Sequence, residues 1–133
     1  MSRFLEPLHV TTEDGRTWTV HEEMDYEVGK MGSGERIVVP EGTKTDFGSI
    51  PRMFWWGFSP IGLGTRAYVL HDYLYCVQIY SRAKSDKILL EALGVLGLNW
   101  VYRHTIYLAV RSGGWAPWRY RAKQIKKESK NQN

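Results

Sequence analysis

The sequence predicts an α+β fold, in which a small N-terminal antiparallel β-sheet precedes three helices and a basic C-terminal tail. Residues 3–46 contain short stretches of β-branched and aromatic residues between turn residues, which is typical of a small sheet. Residues 65–110 instead place apolar residues at helical spacing. The chain has 133 residues, of which 43% are hydrophobic, and this is enough for one domain with its own core, which we assign to residues 1–118.

Four segments of the first half are predicted to be strands. Glu13-Asp14-Gly15 predicts a hairpin, because Asp-Gly adopts the positive φ angles of a tight turn. Met31–Gly34 and Pro40–Gly42 predict two further connections. The predicted strands are Leu8–Thr12, Arg16–His21, Tyr26–Val28 and Arg36–Val39.

Three helices are predicted in the second half, and the first two should form an antiparallel hairpin because their connection is short. The first runs from about Thr65 to Tyr80. The second has Ser81 as its N-cap and ends at Gly97. The third runs from about Asn99 to Val110 and is stopped by Ser112-Gly113-Gly114.

The positive charge is concentrated at the C-terminus. Residues 119–133 carry six Lys and Arg against Glu128, whereas residues 1–118 carry 12 basic and 13 acidic residues. This segment is predicted to be a flexible or partner-bound tail, which could contact nucleic acid, an anionic membrane or an acidic protein. The alternative is a solvated chain end.

A single cysteine, Cys76, excludes an internal disulfide framework and a multi-cysteine zinc site. We expect it to be a small core residue, because no basic residue flanks it to activate the thiol. The first 20 residues show no basic segment followed by an apolar run, so secretion by a signal peptide is not expected.

A His-Asp pair, His71 and Asp72, interrupts an apolar helical run and is the central feature of the sequence. Helical spacing puts His71 on one face with Ala67 and Leu74, pointing inward or into a cleft. Tyr75 follows His71 by one turn and shares its surroundings. Burying ionisable groups is costly without partners, so the pair is either a structural hydrogen-bond hub or a working site.

Asp86 is the predicted partner of His71. It continues the leucine stripe of the second helix (Leu89, Leu93, Leu96) one turn towards the N-terminus, and it therefore faces the first helix. A carboxylate that binds one ring nitrogen of a histidine fixes the tautomer and leaves the other nitrogen basic. The alternative is a buried His–Asp hydrogen bond that only ties two helices together.

Three further residues, together with Asp72, complete the candidate site. Asp46 and Asp72 could supply oxygen ligands to a hard cation such as Ca²⁺, and otherwise no cofactor is expected. Ser49 is interpreted as a capping hydroxyl rather than a nucleophile. Arg111, on the third helix, could pair with Asp72 or Asp86, or act as an ordinary cation at a helix C-terminus.

From about Val38 to Trp118 the chain resembles the domain of unknown function 1353 family, which is found in tailed phages and prophages. The resemblance implies a phage origin and supplies no established activity. It rests on Val39-Pro40-Glu41-Gly42, Thr45-Asp46-Phe47-Gly48-Ser49-Ile50-Pro51-Arg52, Arg66-Ala67, Val69-Leu70-His71-Asp72-Tyr73-Leu74-Tyr75, Ser81-Arg82-Ala83-Lys84-Ser85-Asp86, Tyr107-Leu108-Ala109-Val110-Arg111 and Gly114-Trp115.

The His-Asp-x-x-Tyr pattern on one helix, facing an Asp on a second, is similar to the core of secreted phospholipase A-two enzymes. That similarity implies that His71 activates a water, Asp72 holds Ca²⁺ and Asp86 orients His71. The chain lacks the disulfides and the calcium loop of those enzymes.

Two hypotheses follow. The first is a phage-encoded virion or tail-associated structural component built around a buried His-Asp hub, located in the virion or the host cytoplasm. Its partners would be other virion or tail proteins, or further copies of itself in an oligomer or ring. The alternative is a hydrolase, phospholipase-like or cell-envelope-degrading, in which His71 is the general base and Asp86 orients it.

Overall fold

The strands lie in the first half of the chain and the helices in the second, which confirms the predicted α+β class. The computed structural model describes residues 3–4, 10–12, 18–20, 23–29, 34–45 and 65–131. Within these residues, six strands precede four helices: β1 (Arg3–Phe4), β2 (Val10–Thr12), β3 (Trp18–Val20), β4 (Met24–Glu27), β5 (Arg36–Val39), β6 (Lys44–Thr45), α1 (Thr65–Val77), α2 (Arg82–Val95), α3 (Trp100–Gly113) and α4 (Trp115–Asn131).

The described strands form two small antiparallel sheets where the sequence predicted one. β4 lies between β1 and β5 in the first sheet, and β3 lies between β2 and β6 in the second. The pairing of β2 with β3 agrees with the predicted hairpin, although the Asp-Gly turn itself lies outside the described residues. The predicted connection at Pro40–Gly42 is a turn in which Thr43 N donates to Pro40 O at 3.3 Å and Gly42 has a φ of +86°.

The caps of α2 and α3 match the sequence closely. Ser81 caps α2 by accepting a hydrogen bond from Lys84 N at 3.1 Å, and Asn99 caps α3 by accepting one from Tyr102 N at 2.9 Å. The C-cap of α2 is Leu96, and Gly97 follows with a φ of +92°. α1 ends at Val77, three residues before its predicted end, because Gln78 adopts a left-handed φ of 52°.

The predicted helix end at Ser112-Gly113-Gly114 is wrong, because the helical path continues through these residues. α3 runs through Gly113, Gly114 keeps right-handed helical angles (φ −71°, ψ −9°), and α4 begins at Trp115. Most of the segment predicted to be a tail is therefore a fourth helix. Whether that helix is flexible in solution or bound to a partner stays a prediction.

The core lies between β4, β5 and the inner faces of α1, α2 and α3. Leu89 and Leu93 of the predicted stripe are fully buried, and Leu96 is partly buried. Glu91 of α2 joins the helices to the strands, since its Oε1 accepts hydrogen bonds from Tyr26 Oη at 2.6 Å and from Gly29 N at 3.0 Å. Cys76 is exposed, so its predicted core position is wrong: it lies on the outer side of α1, away from the buried Leu74 and Tyr75.

Among the described residues, no helix combines the length and the apolar character that crossing a bilayer would require.

Candidate functional site

His71 and Asp86 meet in the core, as the sequence predicts. His71 Nε2 lies 2.7 Å from Asp86 Oδ1, and both side chains have no exposed surface. The four-residue connection between α1 and α2 returns the chain alongside α1, which brings positions 71 and 86 together. Because an ionised carboxylate only accepts, Nε2 carries the proton of this hydrogen bond.

Tyr75 supplies a second donor to the same carboxylate oxygen. Its hydroxyl donates to Asp86 Oδ1 at 2.7 Å, and its ring centroid lies 4.3 Å from that of His71. On its other side the Tyr75 ring makes an edge contact with Trp118 of α4, with the centroids 5.0 Å apart. The expectation that Tyr75 shares the surroundings of His71 is confirmed.

Two arginines hold the other oxygen of Asp86. Arg111 Nη1 of α3 donates to Oδ2 at 2.9 Å, and Arg82 Nη1, one turn before Asp86 on α2, lies 3.5 Å from it. Of the two predicted partners for Arg111, the structure therefore pairs it with Asp86. Arg82 also donates to the carbonyls of Val110 at 3.2 Å and Arg111 at 3.3 Å, near the end of α3.

These five side chains form one cluster, which we call the hub: His71, Tyr75, Arg82, Asp86 and Arg111. Burial has the largest effect on the pKa of the Asp86 carboxyl and raises it, but the interactions with His71, Tyr75 and Arg111 together lower the pKa below its ordinary value. Burial, followed by the adjacent carboxylate, raises the pKa of the Tyr75 phenol, which stays protonated as a donor. Asp86 is thus a buried anion that is matched by hydrogen-bond donors on α1 and α3 and by an ion pair with Arg82 of α2.

Gly114 closes the hub from the α3–α4 junction. A Cβ at this position would overlap the Tyr75 hydroxyl, would lie 2.5 Å from the backbone oxygen of Val110 and would lie 3.3 Å from Arg82 Nη1. The absence of a side chain at Gly114 therefore lets the backbone lie close to the hub. This glycine does not end a helix. Gly113, its neighbour, has nothing within 4 Å of the corresponding position.

The arrangement has one feature of a catalytic dyad. A carboxylate bound to Nε2 fixes the imidazole tautomer, and this is the geometry in which a histidine acts as a general base. However, a base must reach its substrate, and the His71 side chain is completely buried. The chemistry that the hub supports directly is the mutual fixation of α1, α2 and α3.

The remaining predicted site residues are placed as follows. Asp72 is half-buried on α1 and makes contacts of its own, whereas Asp46 and Ser49 lie outside the described residues. Within the described residues, no group of three or more His, Cys, Asp or Glu side chains could hold a metal ion. The hub does not fit Ca²⁺, which needs six to eight oxygen ligands, because its single carboxylate is already paired with two arginines. The Asp46–Asp72 calcium site stays a prediction.

Sequence reasoning missed two residues of the site, Arg82 and Gly114. Arg82 precedes Asp86 by four residues, a spacing that favours an ion pair on a helix and could have identified it. No local signal identifies Gly114, because its role depends on a side chain 39 positions earlier in the chain.

A family model described as "Protein of unknown function (DUF1353)" matches residues 18–110. The match spans the chain from β3 to the last turns of α3, so it contains His71, Tyr75, Arg82 and Asp86. Arg111 and α4 lie beyond it. No curated protein and no solved structure matches the chain.

Proposed function

We propose, for a chain that belongs to the DUF1353 family of proteins of unknown function, a role as a structural component of a phage particle, in the virion or its tail. The observation that carries the proposal is that Asp86, with no exposed surface, accepts hydrogen bonds from side chains of α1 and α3 and forms an ion pair with Arg82 of α2. Such a hub fixes the helices in a single arrangement. A particle subunit needs a fixed surface to pack against its neighbours.

The exposed face of α3 supports this role. Trp100, Val101 and Leu108 are exposed by 62%, 63% and 62%, and helical spacing puts them on one side of the helix. A continuous group of exposed large apolar side chains is typical of a surface that contacts another protein. In this proposal the surface packs against a neighbouring particle protein, with a second copy of the chain as the alternative partner.

The test is mass spectrometry of density-purified particles from a phage that encodes the chain. We expect the chain in the particles. We also expect the double variant Val101→Glu/Leu108→Glu to fold but to be lost from them, because it charges the apolar face. Ala83→Glu, exposed on α2, is the matched control and should be retained. Absence of the unaltered chain from particles would overturn the proposal.

The second candidate is the hydrolase, which is favoured by the 2.7 Å contact between His71 Nε2 and Asp86 Oδ1. His71→Gln separates the two functions. Glutamine can donate to Asp86 in place of Nε2, but it cannot act as a base at neutral pH. The structural role predicts near-normal assembly and infectivity for this variant. The hydrolase role predicts normal particles that fail in cell entry or lysis.

A further inference from the structure

The outer face of α4 concentrates positive charge. At 100° per residue, five cations and two aromatic residues of the helix fall on one arc of about 140°, whereas the exposed Glu128, Ser129 and Asn131 lie outside it. All five cations on this arc are exposed, and the exposed aromatic residues of the helix share it: Arg119, Lys123, Lys126, Lys127 and Lys130, with Trp115 and Tyr120. The guanidinium of Arg119 lies 5.6 Å from the ring centroid of Trp115.

The inner side of α4 is occupied by the protein itself. Trp118 contacts the Tyr75 ring, and Gln78 Nε2 donates to Trp118 O at 2.9 Å. Arg121 Nε donates to Cys76 O at 2.7 Å, and its Nη1 also pairs with Glu128 at 3.1 Å. Glu128 is the only acidic residue in the sequence of α4, and it lies outside the outer arc, where it forms its ion pair with Arg121. The outer face thus carries five positive charges and no negative one.

The spacing of these charges suits a polyanion. From Arg119 to Lys130 the helix rises roughly 16 Å at about 1.5 Å per residue. Over that length one strand of a duplex presents roughly five phosphates, at about 3.4 Å each. A depression of about 480 Å³ follows the same face, and the described residues that line it are Tyr120, Lys123, Gln124, Lys126, Lys127 and Lys130.

We propose that the outer face of α4 binds the phosphate backbone of nucleic acid without sequence selection. An anionic membrane fits less well. A helix that lies in a bilayer surface must insert an apolar face, and the outer face has no aliphatic side chain larger than alanine. Paired lysines with adjacent exposed aromatic rings are instead the side chains that contact phosphates and unstacked bases.

The test measures binding of the full chain to a fluorescently labelled 30-base-pair DNA duplex by anisotropy, over a series of salt concentrations. We expect Lys123→Gln/Lys126→Gln to weaken binding at least about tenfold. The slope of log K against log salt should also become about 1.8 less steep, because each of the two lost phosphate contacts contributes about 0.9. Lys44→Gln/Lys87→Gln is the control, because it removes the same charge from exposed positions on β6 and α2. It should bind like the unaltered chain.

Three outcomes would overturn the proposal. They are the absence of duplex binding at low salt, equal weakening by both double variants, and binding to vesicles of phosphatidylserine and phosphatidylcholine in place of DNA. Circular dichroism of both double variants checks that α4 stays helical, and glutamine is chosen because its helix propensity is close to that of lysine. A single-stranded oligonucleotide of the same length is run in parallel. Tighter binding to it would keep the proposal and identify the single strand as the preferred form.

Discussion

Asp86 carries its charge within an apolar stripe, three residues before the fully buried Leu89. A buried carboxylate without partners would be protonated or would unfold its surroundings. Here the hydrogen bonds from His71, Tyr75 and Arg111 compensate for burial, and the pKa of Asp86 stays below its ordinary value. The hub is therefore stabilising only while Asp86 is ionised.

The lowered pKa of Asp86 predicts how stability depends on pH. A carboxyl whose pKa is lower in the folded protein stabilises it above the unfolded-state pKa of about 3.9, and this contribution is lost as the pH falls through the lower, folded-state pKa. We expect Asp86→Asn to reduce the free energy of unfolding by about 3 kcal/mol at pH 7, because it leaves two arginines without their anion. The difference from the unaltered chain should shrink below pH 4.

Urea unfolding followed by circular dichroism between pH 3 and pH 7 measures this difference. Glu41→Gln, in the exposed turn after β5, is the control and should leave the unfolding curve unchanged at every pH. A constant difference between Asp86→Asn and the unaltered chain across this range would show that the charge of Asp86 is not what stabilises the hub.

At the scale of elements, two adjacent glycines at the α3–α4 junction have different roles. Gly113 lies in open space, whereas Gly114 faces the Tyr75 hydroxyl and Arg82. Both adopt backbone angles that other residues can also adopt, since neither has a positive φ. The difference between them is therefore one of space and not of backbone conformation.

Alanine at the two positions should give opposite results. Gly114→Ala is expected to cost about 1–3 kcal/mol of stability through overpacking. Gly113→Ala should raise stability by about 0.4–1 kcal/mol, because alanine restricts the unfolded chain. Thermal unfolding of both variants provides the comparison, and equal effects would refute the steric role of Gly114.

A double-mutant cycle tests the specific contact between Gly114 and Tyr75. Tyr75→Phe should cost about 1.5–3 kcal/mol by removing a hydrogen bond to a charged acceptor. In that background Gly114→Ala should cost less than it does in the unaltered chain, because the Tyr75 hydroxyl is gone and only the overlap with the Val110 backbone oxygen remains. Additive effects would assign the cost of Gly114→Ala to the Val110 backbone oxygen and not to Tyr75.

At the scale of the whole molecule, α4 is attached more weakly than the helices of the core. Among its described residues none is buried, whereas α2 buries six, including Asp86 and Leu89. α4 is held by the Trp118 ring contact and by the hydrogen bonds that Arg121 and Gln78 make across the α1–α4 contact. Its outer face is left to solvent, as a binding surface requires.

This difference predicts the pattern of amide hydrogen exchange. We expect protection factors in α4 to be at least roughly tenfold lower than in α2, because segments with few buried contacts open without global unfolding. Exchange followed by mass spectrometry resolves the two helices. Adding the DNA duplex should slow exchange in α4 and leave α2 unchanged. Equal protection of both helices without DNA would contradict the weak attachment.

Local signals in the sequence determined most of the secondary structure. Ser81 predicted the start of α2, because a capping side chain bonds to a backbone amide three residues away, and Asn99, predicted only as the approximate first residue of the next helix, caps α3 in the same way. Asp86 could be assigned to the hub in the same way, since its register with Leu89 and Leu93 is a property of one helix. These features depend on neighbours within a few residues along the chain.

Tertiary packing alone decided the rest. The division of the strands into two sheets, the exposure of Cys76 and the place of Gly114 against Tyr75 all depend on residues distant in sequence. Glycines in a row usually indicate a helix end, yet here the helical path continues, and Gly114 is a glycine because Tyr75 of α1 and the backbone of Val110 occupy the space that a side chain would fill. Periodicity specifies which side of an element faces inward, but only the packed structure specifies what that side meets.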